Sequence, residues 1–285
     1  MKILLFRIIT LAAVLAGLSG CARLAVNSLV GPTIDNLQRQ TDLDLVCEGT
    51  SSFLLMLDSM IASDPDNSRL LMTGAQSYAA YAAALDVCGR PERAAAVSVK
   101  AKDYGLALLS DQQNPALIKA LDPSALNDFL AGLDGDDTAK LFWTGNGWAT
   151  WIRFQEGSPA ALADLIRVEQ IMLRVVELDE TFYHGGAHLF LGAYYGAKPP
   201  MLGGKLAESR AHFEKALALS SREYLPTQVA YAQVYATMTY DRDLYVKLLQ
   251  EVMDFPLGKR PDIALANQAA KRMASRMLSQ VDRYF

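Results

Sequence analysis

The chain of 285 residues is poor in the residues on which most site chemistry is built. It has three cysteines, three histidines, three tryptophans and 11 prolines. So few His and Cys leave little material for a metal cluster of standard ligand spacing. No segment alternates apolar and polar residues over the length of a strand, which argues against a sheet. Lys and Arg (27) do not outnumber Asp and Glu (31), and the formal net charge is −4. Nucleic-acid binding needs a basic face, so no nucleic-acid partner is expected. No P-loop and no G-x-S-x-G elbow is present, and no HExxH accompanies the histidines. Gly145-Asn146-Gly147 lacks a third glycine, Thr150 standing in its place, and reads as a turn entering a helix. No catalytic residue, metal site or cofactor is expected, and the chain reads as a non-enzyme. A half-apolar composition excludes disorder.

What is present begins with a processing segment. Lys2 and Arg7 form a positive start, and Ile8 to Gly17 an apolar run too short for a bilayer that needs about 20 residues. Leu18-Ser19-Gly20-Cys21 resembles a bacterial lipobox. Residues 1–20 are therefore expected to be a signal peptide, Cys21 to carry lipid, and 21–41 to form a tether. Ala22 stands where an inner-membrane retention signal has Asp, which favours the periplasmic side of the outer membrane. In that compartment Cys47 and Cys88 either bridge two helices or stay as buried thiols.

From Pro32 a 3.6-residue period dominates. Helices are expected at Asp42–Ser63, Ser68–Leu85, Pro91 to about Ser110, Thr138–Gln155, Pro159–Leu178 and Thr181–Gly196. Others follow at Lys205–Leu219, Arg222–Tyr240, Asp241–Met253 and Asp262–Tyr284. Short helices start at Pro115 and Pro123, and Asp134–Asp137 reads as an exposed turn. Short Pro- and Gly-containing connections predict an all-α domain over 42–285, a tetratricopeptide-like solenoid of antiparallel helix pairs with degenerate repeats. Ser209-x3-Phe213-x2-Ala216 matches the second-helix part of such a repeat, and Gly74-Ala75 with Tyr78 the first.

Trp148, Trp151 and Phe154 recur every third residue with Trp143 upstream, a stripe that suits either a packed core or an apolar ligand wall. His184 and His188, four residues apart, share a helical face. With Tyr183, Tyr194 and Tyr195 they suit either a polar helix face or a cavity for an amphipathic ligand. Trp143, Trp148, Trp151, Tyr183, His188 and Tyr194 are the channel candidates. Pro199-Pro200-Met201-Leu202-Gly203-Gly204 is a stiff entry followed by two permissive residues. Pro199, Pro200, Gly203 and Gly204 are the loop or rim candidates.

Several segments together resemble one family. They are Leu141-Phe142-Trp143-Thr144-Gly145, Trp148-Ala149-Thr150-Trp151, Leu178-Asp179-Glu180-Thr181-Phe182-Tyr183 and Gly186-Ala187-His188-Leu189-Phe190-Leu191-Gly192. The Pro199–Gly204 loop, His212-Phe213-Glu214-Lys215-Ala216-Leu217 and the segment from Leu265 to Phe285 continue it. The sequence resembles the TatT family, tetratricopeptide-like lipoproteins associated with TRAP transporters, from about Asp42 to Phe285. The resemblance implies a homotrimer that assembles with a TRAP-type periplasmic substrate-binding protein. It also implies an internal channel through which a hydrophobic or amphipathic small ligand passes to that protein. A scaffold lipoprotein of envelope or outer-membrane assembly is the alternative, and an enzyme built on His184 and His188 a more distant one.

Overall fold

The computed structural model describes residues 30–110, 115–155, 157–199, 201 and 203–285. The leader, Cys21 and Pro200 lie outside them. Among the described residues the fold is helical throughout and has no strand. After a helical stretch over residues 30–38, within the expected tether, the α-helices are α1 (Leu43–Ser63), α2 (Ser68–Val87), α3 (Pro91–Leu109), α4 (Pro115–Ala120), α5 (Pro123–Ala131), α6 (Thr138–Arg153) and α7 (Pro159–Ala163). They continue with α8 (Leu165–Asp179), α9 (Phe182–Gly196), α10 (Leu206–Leu219), α11 (Pro226–Tyr231), α12 (Arg242–Asp254) and α13 (Ala264–Leu278).

Local chemistry sets the ends of these helices. The Asp42 carboxylate accepts from the backbone N–H groups of Asp44 and Leu45 and starts α1. Asn67 caps α2 by accepting from Leu70 N–H, and Asp122 caps α5 with Pro123 in its first turn. Each cap satisfies amide donors that a helix start otherwise leaves unpaired. Pro91 opens α3, where its missing N–H costs nothing. Although α1 is long and apolar enough by composition to cross a membrane, it buries Cys47, Leu54 and Leu57 inside the protein.

The longer helices pack in chain order, passing over the short α4, α5 and α7: α2 on α3, α3 on α6, α6 on α8, α8 on α9 and α9 on α10. One core extends from Leu57 and Leu70 through Phe142 and Trp148 to Leu191 and Tyr195. A second core gathers Phe213, Leu225, Tyr245, Leu249 and Ala274 from α10 to α13. The last helix then returns to the first two. Leu265 packs beside Val46, Cys47 and Ala84. Arg272 pairs with Asp44 at 2.9 Å, and Arg276 donates to the Val87 carbonyl at 3.0 Å. Cys47 and Cys88 form a disulfide beside this closure, Cα to Cα 6.8 Å.

Five elements differ from the sequence-based expectation. Gly145 and Gly147 are not in a turn but inside α6, where the absence of side chains lets neighbouring helices approach. The Arg222–Tyr240 helix starts late, at Pro226, because Ser221 and Arg222 are left-handed. It also contains a π-turn over Ala232–Ala236. The helix expected over Pro159–Leu178 divides at Asp164, and the last helix begins only at Ala264 after two 3₁₀ turns. Most consequential is α9. Tyr183, His184 and Gly185 adopt left-handed backbone at φ 46°, 62° and 73°, so its first turn is not in register with the rest.

Candidate functional site

The break in α9 organises the surrounding side chains. Left-handed backbone at a residue other than glycine costs of order 1–3 kcal/mol and persists only where its surroundings impose it. Here aromatic packing imposes it. The Tyr183 ring meets Trp143 edge-on at 4.7 Å between centroids and Phe142 at 5.3 Å. His184 stacks on Tyr224 at 5.0 Å, and Tyr224 also meets Tyr183 at 5.9 Å. Gly185 has its own reason to be glycine: beyond its positive φ, a Cβ there would stand 3.3 Å from the Ala216 Cα of α10. Burial raises both phenol pKa values, so Tyr183 and Tyr224 stay neutral.

The break also separates the two histidines expected to share a face. His184 goes to Tyr224, whereas His188, one turn into the regular helix, faces α10. Its Nδ1 lies 2.8 Å from Nδ1 of His212, and its Nε2 3.4 Å from the Glu180 carboxylate. A bond between two Nδ1 atoms holds one proton, so one ring donates and the other accepts. Lys215 holds Glu180 from the other side at 2.9 Å. Among the described residues no group of three His, Cys, Asp or Glu is placed to hold a metal ion.

Burial, reinforced by His188, holds His212 down to about 4, against the raising influence of Glu208. Burial also lowers His188, although Glu180 opposes it. A histidine depressed in the folded state gives stability that is complete above its unfolded value of about 6.5 and lost as pH falls toward about 4. Thermal midpoints measured from pH 7.5 to 4 are expected to fall across that window. His212→Gln is expected to flatten the slope by up to one proton, and an unchanged slope would show that the pair does not carry it.

Two clefts flank this region. The smaller, about 90 Å³, has Glu169, Tyr194, Tyr195, Lys198 and Lys205 on its walls, with Gly203 at the rim. Tyr195 donates to Glu169 at 2.8 Å, and Lys205 lies 4.8 Å over the Tyr195 ring. Burial and the Glu169 charge push Tyr194 up to about 12. The loop folds back to close the cleft: Lys205 N–H donates to the Tyr195 carbonyl and Gly204 N–H to that of Pro199. Gly203 is left-handed at φ +86°, and a Cβ on Gly204 would collide with the Lys198 carbonyl. Met201 projects outward, 89% exposed. The larger cleft, about 280 Å³, lies between α10, the π-turn and α12. Sequence reasoning missed it, and the one available signal was the pair Tyr231 and Tyr235.

The other sequence candidates lie apart from both clefts. Trp148 is fully buried, and its indole N–H donates to the buried Asp164 carboxylate at 3.1 Å, which fixes the junction of α7 and α8. Trp143 is buried against Phe142 and Tyr183. Trp151 is half-buried, with the Lys102 ammonium 4.0 Å over its ring. The structure thus brings Trp143 to Tyr183 and Tyr194 to Gly203 and Lys205, and it pairs His188 with His212 and Glu180.

A family model described as TRAP transporter T-component matches residues 39–285, nearly the whole chain, and the chain belongs to that family. It is a transport accessory family and not a family of enzymes. No curated protein matches the chain.

Proposed function

We propose that this member of the TRAP transporter T-component family is a lipid-anchored accessory subunit that docks on a TRAP-type substrate-binding protein and hands it a small hydrophobic or amphipathic ligand. The family match over residues 39–285 carries this reading. In it residues 1–20 are a cleaved leader, and Cys21 holds the chain at the periplasmic face of the outer membrane. Residues 42–285 then form one tetratricopeptide-like solenoid that assembles as a homotrimer. The serial packing of the longer helices α2, α3, α6, α8, α9 and α10, one on the next, supports the solenoid. So do the glycines at its helix crossings, Gly74 against Tyr104 and Gly192 against Phe213.

Transfer of this kind needs no catalysis. An apolar path takes the ligand out of water, and a tighter site in the partner draws it onward. The aromatic seam of Trp143, Tyr183 and Tyr224 and the Tyr194 cleft are the stretches of this chain that suit such a path. The test is native mass spectrometry of residues 22–285, alone and with the TRAP-type binding protein of the same organism. A trimer that gains partner subunits is the expected result. A monomer indifferent to the partner would overturn the reading and favour an envelope scaffold.

A further inference from the structure

The larger cleft is a second place on the molecule with the makings of a ligand site, distinct from the channel candidates. Its floor is apolar: Leu217 and Leu248 are buried, and Tyr231 packs on Phe213 beneath it at 4.8 Å between centroids. Its rim is charged, with three cations, Arg210, Arg222 and Lys247, against Glu214 and Asp241.

The roles of these charges differ. Arg210 is paired with Glu214 one turn along α10 at 2.7 Å. Arg222 is held by Glu251, and its carbonyl accepts from the Gln228 amide at 2.8 Å. The Asp241 carboxylate is spent on the Leu244 N–H, capping α12. Lys247 makes no ion pair or hydrogen bond among the described residues, so its charge is available at the cleft. The wall opposite is the π-turn Ala232–Ala236, which sets the Tyr235 ring 5.3 Å from that of Tyr231. Turns of this kind are rare and concentrate at functional sites.

We infer that this cleft binds a small organic anion with an apolar body, its acid group on Lys247 beside Arg222 and its body on Leu217, Leu248 and the two tyrosines. A volume of about 280 Å³ falls just below the usual range for drug-sized ligands and admits a single-ring acid. Placing the acid group on the unpaired Lys247 ammonium over a desolvated floor is what selects an acid over a neutral analogue of the same shape.

Calorimetric titration of the purified full-length protein with 3-phenylpropionate and with neutral 3-phenylpropanol tests this. Expected are saturable one-to-one binding of the acid, at least about tenfold weaker binding of the alcohol, and at least about tenfold weakening by Lys247→Gln. Leu244→Trp, which fills the cleft, is expected to abolish binding while circular dichroism stays unchanged. Absence of acid binding up to about 10 mM would overturn the inference. So would equal affinity for the alcohol, or a Lys247→Gln protein that binds as the parent does. The titration involves no partner protein, so its failure leaves the transport reading untouched.

Discussion

Gly147→Val is expected to lower the unfolding free energy by about 3 kcal/mol or more, a large effect for added apolar volume. The residue lies where α6 crosses α3, and a Cβ there would collide with the Ala101 carbonyl and stand 2.8 Å from its carbon. Two turns of backbone, not the ends of flexible side chains, would have to part. The same crossing is tied a few residues away. The Thr144 hydroxyl donates to the Gly105 carbonyl at 2.6 Å, and a Cβ on Gly105 would stand 2.9 Å from the Thr144 Cα. Separating the helices at Gly147 therefore also stretches a buried hydrogen bond, whose loss adds about 1 kcal/mol. Gly49→Ala is the contrasting variant. It is mid-helix in α1 with nothing within 4 Å of its Cβ position, so helix propensity alone predicts a gain of up to about 1 kcal/mol. Urea unfolding at constant slope reads both. A Gly147→Val protein as stable as the parent would mean that α3 and α6 are not in contact at this crossing.

What the sequence disclosed about this crossing, and what it hid, has a physical basis. Helix starts were legible because capping is local: Asp42, Asn67, Asp122 and Asp241 each act on amides two or three residues ahead. Gly145-Asn146-Gly147 looked like a turn because glycine signals both turns and close packing, and only the partner helix distinguishes them. The left-handed break at Tyr183 and His184 left only Gly185 as a local trace, since a tyrosine does not favour that conformation and aromatic packing from α6 and from Tyr224 surrounds it. The charged cleft was equally hidden. Its cations Arg210, Arg222 and Lys247 are dispersed over 38 positions of sequence and converge only when α10, the π-turn and α12 pack together. His188 was singled out from the sequence together with Tyr194 and Tyr195, whereas its hydrogen-bond partner in the structure, His212, lies 24 residues away on another helix. Residues that act within one turn can be read singly, whereas residues that act across a helix interface cannot.

The closure of α13 on α1 and α2 is the furthest such interface, and it makes the disulfide worth more than a link between two adjacent helices. Replacing Cys47 and Cys88 together by alanine is expected to cost about 4 kcal/mol. The bridge closes a loop with a sequence separation of 41, and chain entropy alone gives about that value for a loop of this length. For a domain of this size that is a fall of roughly 8–16 °C in thermal midpoint. The site gives a reason to expect the full effect. Cys88 Sγ lies 3.8 Å from the Arg272 guanidinium, which is bonded in turn to Asp44, within the interface that α1 and α2 make with α13. Loosening Cys88 frees the surface on which Arg272 and Arg276 dock. The disulfide and the Arg272–Asp44 pair should therefore couple: Arg272→Gln is expected to cost less in the alanine background than in the parent, by 0.5 kcal/mol or more, as contacting residues do. Scanning calorimetry of the four proteins measures this, with a run of the parent under reducing agent alongside. If reduction leaves the parent's midpoint unchanged, the bridge contributes nothing. If the two costs simply add, the bridge stabilises α1 and α2 alone, and the closure by α13 stands independently of it.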